Sequence, residues 1–208
     1  MEEILQNFFG SLVGQITTIV IIVALMILVA ITDKKKMDIS VMIKTAMLIA
    51  IAYVLNQLTL FRMPQGGSVT PFSMLFIVLV GYLFGPKQGV LAGVVFGLLD
   101  LLMKPYVIHP VQLILDYPLA FGALGLGAML RNQNHGLIKT YLLGILGRFI
   151  ISSISGIIFF LDSTNGVLAG LITAIGYNFT YIAAEGFLTV LILFVPQLNK
   201  LFEKFKIV

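Results

Sequence analysis

Cysteine and tryptophan are absent from the 208-residue chain, histidine occurs twice, and charged side chains make up only 11% of it. Without cysteine there is no disulfide, no thiolate metal site and no cysteine nucleophile. His109 and His135 by themselves argue against an all-histidine metal site. No Gly-x-x-x-x-Gly-Lys-Ser/Thr loop is present, so the chain cannot hydrolyse ATP itself. Neither Gly-x-Ser-x-Gly nor His-Glu-x-x-His occurs. The expectation is a protein without metal or cofactor and without a catalytic group.

What is present is apolar. Hydrophobic residues are 59% of the chain and mean hydropathy is +1.07. A soluble chain of this length has too little interior to hide so much apolar surface, so an all-α integral membrane protein is expected. The net charge of +4 does not point to nucleic acid. Most cations lie between or after the apolar runs, where they orient the chain in a bilayer.

Runs and punctuation predict seven helical spans, at 10–32, 38–61, 70–85, 88–104, 110–131, 137–161 and 167–195. Ile4 to Thr32 carry no charge, enough for a span of ~20 residues. Glu2 and Glu3 precede this run and Lys34, Lys35 and Lys36 follow it, the reverse of a cleavable signal. A retained span with an external N-terminus is expected. The inner side then receives Lys34, Lys35, Lys36, Lys44, Lys87, Arg131, Lys139, Lys200, Lys204 and Lys206, and the outer side Arg62 and Lys104. That bias predicts a cytoplasmic C-terminus. The tail sets Leu201, Phe202, Phe205 and Ile207 beside Lys200, Lys204 and Lys206. It reads as a membrane-surface helix or as a basic end that holds the last span.

Polar groups at membrane depth are costly, and their positions mark candidate sites. Arg62-Met63-Pro64-Gln65-Gly66-Gly67-Ser68-Val69-Thr70 is a glycine-containing loop between two apolar runs. It reads as a lid, with Gln65 and Ser68 as hydrogen-bonding groups, or as a rigid turn set by Pro64. Asp116 is the foremost single candidate, since an acid in hydrocarbon needs a partner or a wet cavity. Tyr106 and Tyr117 either contact a ligand or belong to the interfacial aromatic belt. Asp100 either joins the site or pairs with Lys104 at i,i+4, and the pair is favoured. Tyr177 and Asn178 lie in the last span, and Glu185 is expected to pair with Arg148. Ser152, Ser153, Ser155 and Gly156 form a small-residue patch, with Phe160 one turn beyond Gly156. Such a slot suits helix packing or a flat, cationic ring. Ala46 and Ala50 form a small-xxx-small pair, for internal packing or for docking to another membrane subunit.

Met63-Pro64-Gln65-Gly66-Gly67-Ser68-Val69, His109-Pro110-Val111-Gln112-Leu113-Ile114-Leu115-Asp116-Tyr117-Pro118-Leu119-Ala120-Phe121, Ser155-Gly156-Ile157-Ile158-Phe159-Phe160 and Tyr177-Asn178 together resemble the thiamine-specific S-component (ThiT/YuaJ) family of energy-coupling factor (ECF) transporters. The resemblance runs from about residue 40 to 195. It implies a six-helix bundle that captures the vitamin outside and works with a transmembrane coupling protein and two ATPase subunits. It implies that Asp116 and Tyr117 take the aminopyrimidine, that Phe160 stacks on a ring, and that Tyr106, Gly156 and Asn178 lie at binding positions. Gln65, Gly67 and Ser68 of the loop, His109, Ser152 and Tyr177 complete the candidate set. Ala46 and Ala50 match the docking motif toward the coupling protein. The family often has His at Ser152 and Tyr at Thr173, some members carry a stacking tryptophan, and an acid at Asp100 is unusual. The expected division is an extra transmembrane helix at 1–33, the S-component domain at 34–197 and a basic tail at 198–208.

The implied function is thiamine capture for uptake. An S-component for another cationic or pyrimidine-containing solute is the alternative. A membrane-embedded enzyme using Asp116 would need a second catalytic group, and no nucleophile–base pair is evident.

Overall fold

A computed structural model of the chain describes residues 8, 11–14, 16, 17, 20, 38–161, 164 and 166–206. The expected first span, 10–32, lies largely outside these residues, and so does most of the 1–33 unit. The described residues contain five helices long and apolar enough to cross a membrane, together with one shorter apolar helix. The protein is an all-helical multi-pass membrane protein.

Helix α1 is Ile39–Gln57, and Asp38 caps it by accepting from Ser40 N at 2.9 Å. A two-residue hairpin follows, β1 (Phe61–Arg62) against β2 (Ser68–Val69), antiparallel with Phe61 opposite Val69 and Arg62 opposite Ser68. The expected span 38–61 therefore ends earlier, at Gln57, and its last residue enters a strand. Across the turn of the loop 62–70, Met63 N donates to Gly67 O at 2.7 Å.

Helix α2, Ser73–Phe84, is about 18 Å long at 1.5 Å per residue. It is too short to cross ~30 Å of hydrocarbon. It is apolar all round, and such a helix must be covered on every side. Met74, Ile77, Val78, Leu79 and Val80 are each at most 1% exposed. Helix α3, Pro86–Met103, begins with proline at its first position after Gly85, whose φ is 106°. It passes very close to α2: a Cβ on Gly89 would lie 2.6 Å from Gly81 Cα.

Helix α4 spans Pro110–Leu130. It is widened to a π-turn over Leu115–Leu119, which contains Pro118, and Ala120 N reaches back to Leu115 O. Proline supplies no N–H, so the regular ladder fails here and the turn opens. Helix α5 is Gly136–Phe159 and α6 is Val167–Leu193. The short α7, Pro196–Phe205, turns Phe202 onto the core and leaves Leu201 and Phe205 exposed. Beyond it, Lys206 Nζ donates to Arg131 O at 2.7 Å.

Candidate functional site

The hairpin and helices α1 to α6 line a polar cavity of about 80 Å³ that opens to solvent. Its top is the hairpin turn. Gln65 N and Gly67 N both donate to the Tyr177 hydroxyl, at 3.2 and 3.0 Å. One phenol on α6 thus holds two backbone groups of a turn more than a hundred residues earlier. Gly67 fits because a Cβ there would come within 2.8 Å of that oxygen.

The π-turn of α4 supplies the next wall. Gln112 is buried and orients Asp116, donating from Nε2 to Oδ2 at 2.6 Å. The same amide nitrogen donates to Tyr106 O at 3.1 Å, and Gln112 Oε1 accepts from Ile108 N at 3.2 Å. Tyr117 points back toward the end of α3, where its hydroxyl donates to Lys104 O at 2.8 Å and accepts from Tyr106 N at 2.9 Å. The segment 104–108 is therefore fixed by two side chains of α4. Tyr106 is presented to Phe160 as a near-parallel pair, 6.0 Å between centroids at 26°.

On the opposite side, Asn178 sits against Gly156. A Cβ on that glycine would lie 2.8 Å from Asn178 Nδ2. The amide is oriented by donation to Ala174 O at 3.1 Å and by accepting from the Tyr181 hydroxyl at 2.9 Å. Ser152 also lines the cavity and is buried.

Asp100, Asp116 and Glu185 lie on the lining together with Lys104 and Arg148. Three acids against two bases leave one net negative charge when all are ionised, which suits a singly charged cation.

Glu185 does not pair with Arg148 as expected. Its carboxylate accepts from Thr70 Oγ1 at 2.7 Å, Met74 N at 2.9 Å, Ser73 Oγ at 3.2 Å and Thr70 N at 3.3 Å. These donors surround the start of α2, whose first N–H groups lack helical partners and whose dipole favours an anion. Arg148 instead lies over the Phe121 ring, 4.0 Å from its centroid. Asp100 also differs from the favoured expectation: its partner is Asn56 Nδ2, at 2.5 Å, and not Lys104. Lys104 Nζ donates to Asn56 O and to Thr59 Oγ1.

Residues 42–204 match the family profile described as thiamine transporter protein (Thia_YuaJ). The chain belongs to this thiamine transporter family. The thiamine transporter ThiT of Bacillus subtilis (strain 168) is 28% identical over 168 residues, which cover 73% of this chain and 87% of that protein. A solved structure of ThiT from Listeria monocytogenes superposes with a TM-score of 0.62 at 21% identity, covering 78% of this chain and 96% of that one. The last comparison shows the shared fold. Membership places the chain among transporters and not among enzymes.

In this family member the cavity brings together eleven of the expected residues: Gln65, Gly67, Ser68, Tyr106, Asp116, Tyr117, Ser152, Gly156, Phe160, Tyr177 and Asn178. His109 does not line it. That side chain stacks on Phe159, 5.1 Å between centroids, and accepts from Val111 N through Nδ1 at the start of α4. Ala46 and Ala50 are exposed on the outer face of α1, away from the core. Sequence reasoning missed Asn56, Gln112 and Tyr181 as cavity residues. Each carried a weak signal. Asn56 ends an apolar run, Gln112 lies within the Asp116 motif, and Tyr181 follows Tyr177 and Asn178 at helical spacing.

Proposed function

We propose that the chain is the substrate-capture subunit of an ECF-type importer and that thiamine binds in the cavity described above. The observation that carries this reading is the juxtaposition of Asp116, oriented by Gln112, with the Tyr106–Phe160 aromatic pair in a cavity lined by three acids and two bases. Thiamine is a flat aminopyrimidine joined to a cationic thiazolium ring. Asp116 accepts from the exocyclic amine, Phe160 stacks on a ring beside Tyr106, and Asn178 and Ser152 supply polar contacts. The cation gains from both the carboxylates and the aromatic faces.

Capture takes place at the outer side, with the N-terminus outside and the C-terminus cytoplasmic. The Lys and Arg distribution supports that orientation. The face of α1 bearing Ala46 and Ala50 docks a transmembrane coupling protein, and two partner ATPases supply the energy that this chain lacks the loop to harvest. Residues 34–197 form the substrate-binding domain, and 198–208 are a cytoplasmic tail.

Calorimetric titration of the purified protein with thiamine, its phosphates and its isolated pyrimidine half tests the reading. Saturable one-to-one binding of thiamine, stronger than that of the pyrimidine half, is expected. Absence of thiamine binding, or equal binding of unrelated cations, contradicts it.

A further inference from the structure

The three carboxylates on the cavity wall differ in what their oxygens already hold. Glu185 is 2% exposed, and both its oxygens are taken up by the start of α2. It is a buried cap with no capacity left for a ligand. Asp116 is oriented by Gln112. Asp100 is arranged like Asp116, with one oxygen held by a side-chain amide. Only its Oδ1 is engaged, by the amide of Asn56, and Oδ2 has no hydrogen-bond partner among the described residues. Asn56 is itself buried, and its carbonyl is held by Lys104 Nζ. Asp100 is thus presented on the wall by a fixed neighbour, with one acceptor oxygen open. An open carboxylate oxygen on a cavity wall is an acceptor for a ligand donor.

We propose that Asp100 is a second ligand-binding acid that selects for a donor-bearing end of the ligand, a free hydroxyl, and against its phosphate ester. The proposal rests on the thiamine reading above. Thiamine carries hydrogen-bond donors at two ends, the exocyclic amine of the pyrimidine and the primary hydroxyl of the thiazolium side chain. With the amine on Asp116, the hydroxyl is the donor that remains for Asp100. An ionised phosphate ester removes that donor and sets negative charge against a carboxylate. Lys104 keeps its charge, since Asn56 O and Thr59 Oγ1 are neutral acceptors, and so offsets part of that repulsion without restoring the lost donor for Asp100.

The test is the ratio of the dissociation constants for thiamine monophosphate and thiamine, in the wild-type protein, Asp100→Asn and Asp116→Asn. Wild type prefers thiamine. Asp100→Asn reduces that preference by about tenfold, the size of one charge-assisted hydrogen bond. Asp116→Asn weakens both ligands alike and leaves the ratio in place, because both ligands carry the same pyrimidine. Thermal melting verifies that each variant is folded, and Asp100→Ser is titrated in place of an Asp100→Asn chain that is not. A wild-type protein without preference, or an unchanged ratio in the Asp100 variant, overturns the proposal while leaving thiamine capture intact. Failure of the wild type to bind either ligand overturns the thiamine reading itself, and this inference with it.

Discussion

Two acids at membrane depth carry opposite duties. Asp116 sits in the widened turn around Pro118 and is oriented by Gln112 on the cavity wall, where the proposed ligand would meet it. Glu185 is spent on the start of α2. Substituting them should therefore separate binding from stability. Asp116→Asn keeps the shape and removes the charge, so thiamine affinity should fall by a decade or more, ~1.4 kcal/mol each, with the melting temperature nearly unchanged. Unaltered affinity by calorimetry would remove Asp116 from the site. Glu185→Leu leaves Thr70 N, Met74 N and two hydroxyls without their acceptor, and should cost roughly 2–4 kcal/mol of stability. A melting temperature in detergent equal to wild type would refute that role. Asp116 could be read from the chain because an acid inside an apolar motif has few uses. The partner of Glu185 could not be read. Depth along a helix follows from sequence position, whereas the direction in which α6 faces α2 depends on packing between segments far apart in the chain.

The hairpin between α1 and α2 is the element with the most to do at the mouth of the site. Its turn rests on the Tyr177 hydroxyl through two backbone N–H groups. If it closes over bound thiamine, residues 62–70 should gain protection from hydrogen exchange on adding ligand. Tyr177→Phe should speed ligand release by removing both anchors. Equal protection with and without thiamine, and an unchanged release rate in Tyr177→Phe, would mark the hairpin as a rigid turn. Helix α1 offers a second test. Leucine at both Ala46 and Ala50 should block thiamine uptake in cells while leaving binding to the purified chain intact, because added bulk stops close helix approach. Loss of binding as well would contradict docking at this face. Among the described residues the five long apolar helices were legible to within a few residues, since the bilayer sets their length, whereas α2, expected as a span over 70–85, is too short to cross. The hairpin and the π-turn were not. Two paired residues per strand carry no periodic pattern, and Pro118 signals a break without saying how the ladder will shift.

At the scale of the whole molecule, the absence of cysteine makes the topology directly measurable. Single cysteines at Gln65 and at Asn134 should react with a membrane-impermeant maleimide from opposite sides of intact cells, Gln65 from outside and Asn134 only after permeabilisation. The reverse pattern would invert the orientation and move the cavity mouth to the cytoplasm. The absence of tryptophan permits the most direct measurement of all. Phe160→Trp places a lone indole opposite Tyr106 on the cavity wall, where a bound thiazolium or pyrimidine ring would stack and quench it. Thiamine is expected to quench this fluorescence saturably at one equivalent per chain, with an apparent affinity matching calorimetry. Tight calorimetric binding that leaves the indole emission unchanged would place thiamine elsewhere and contradict the site.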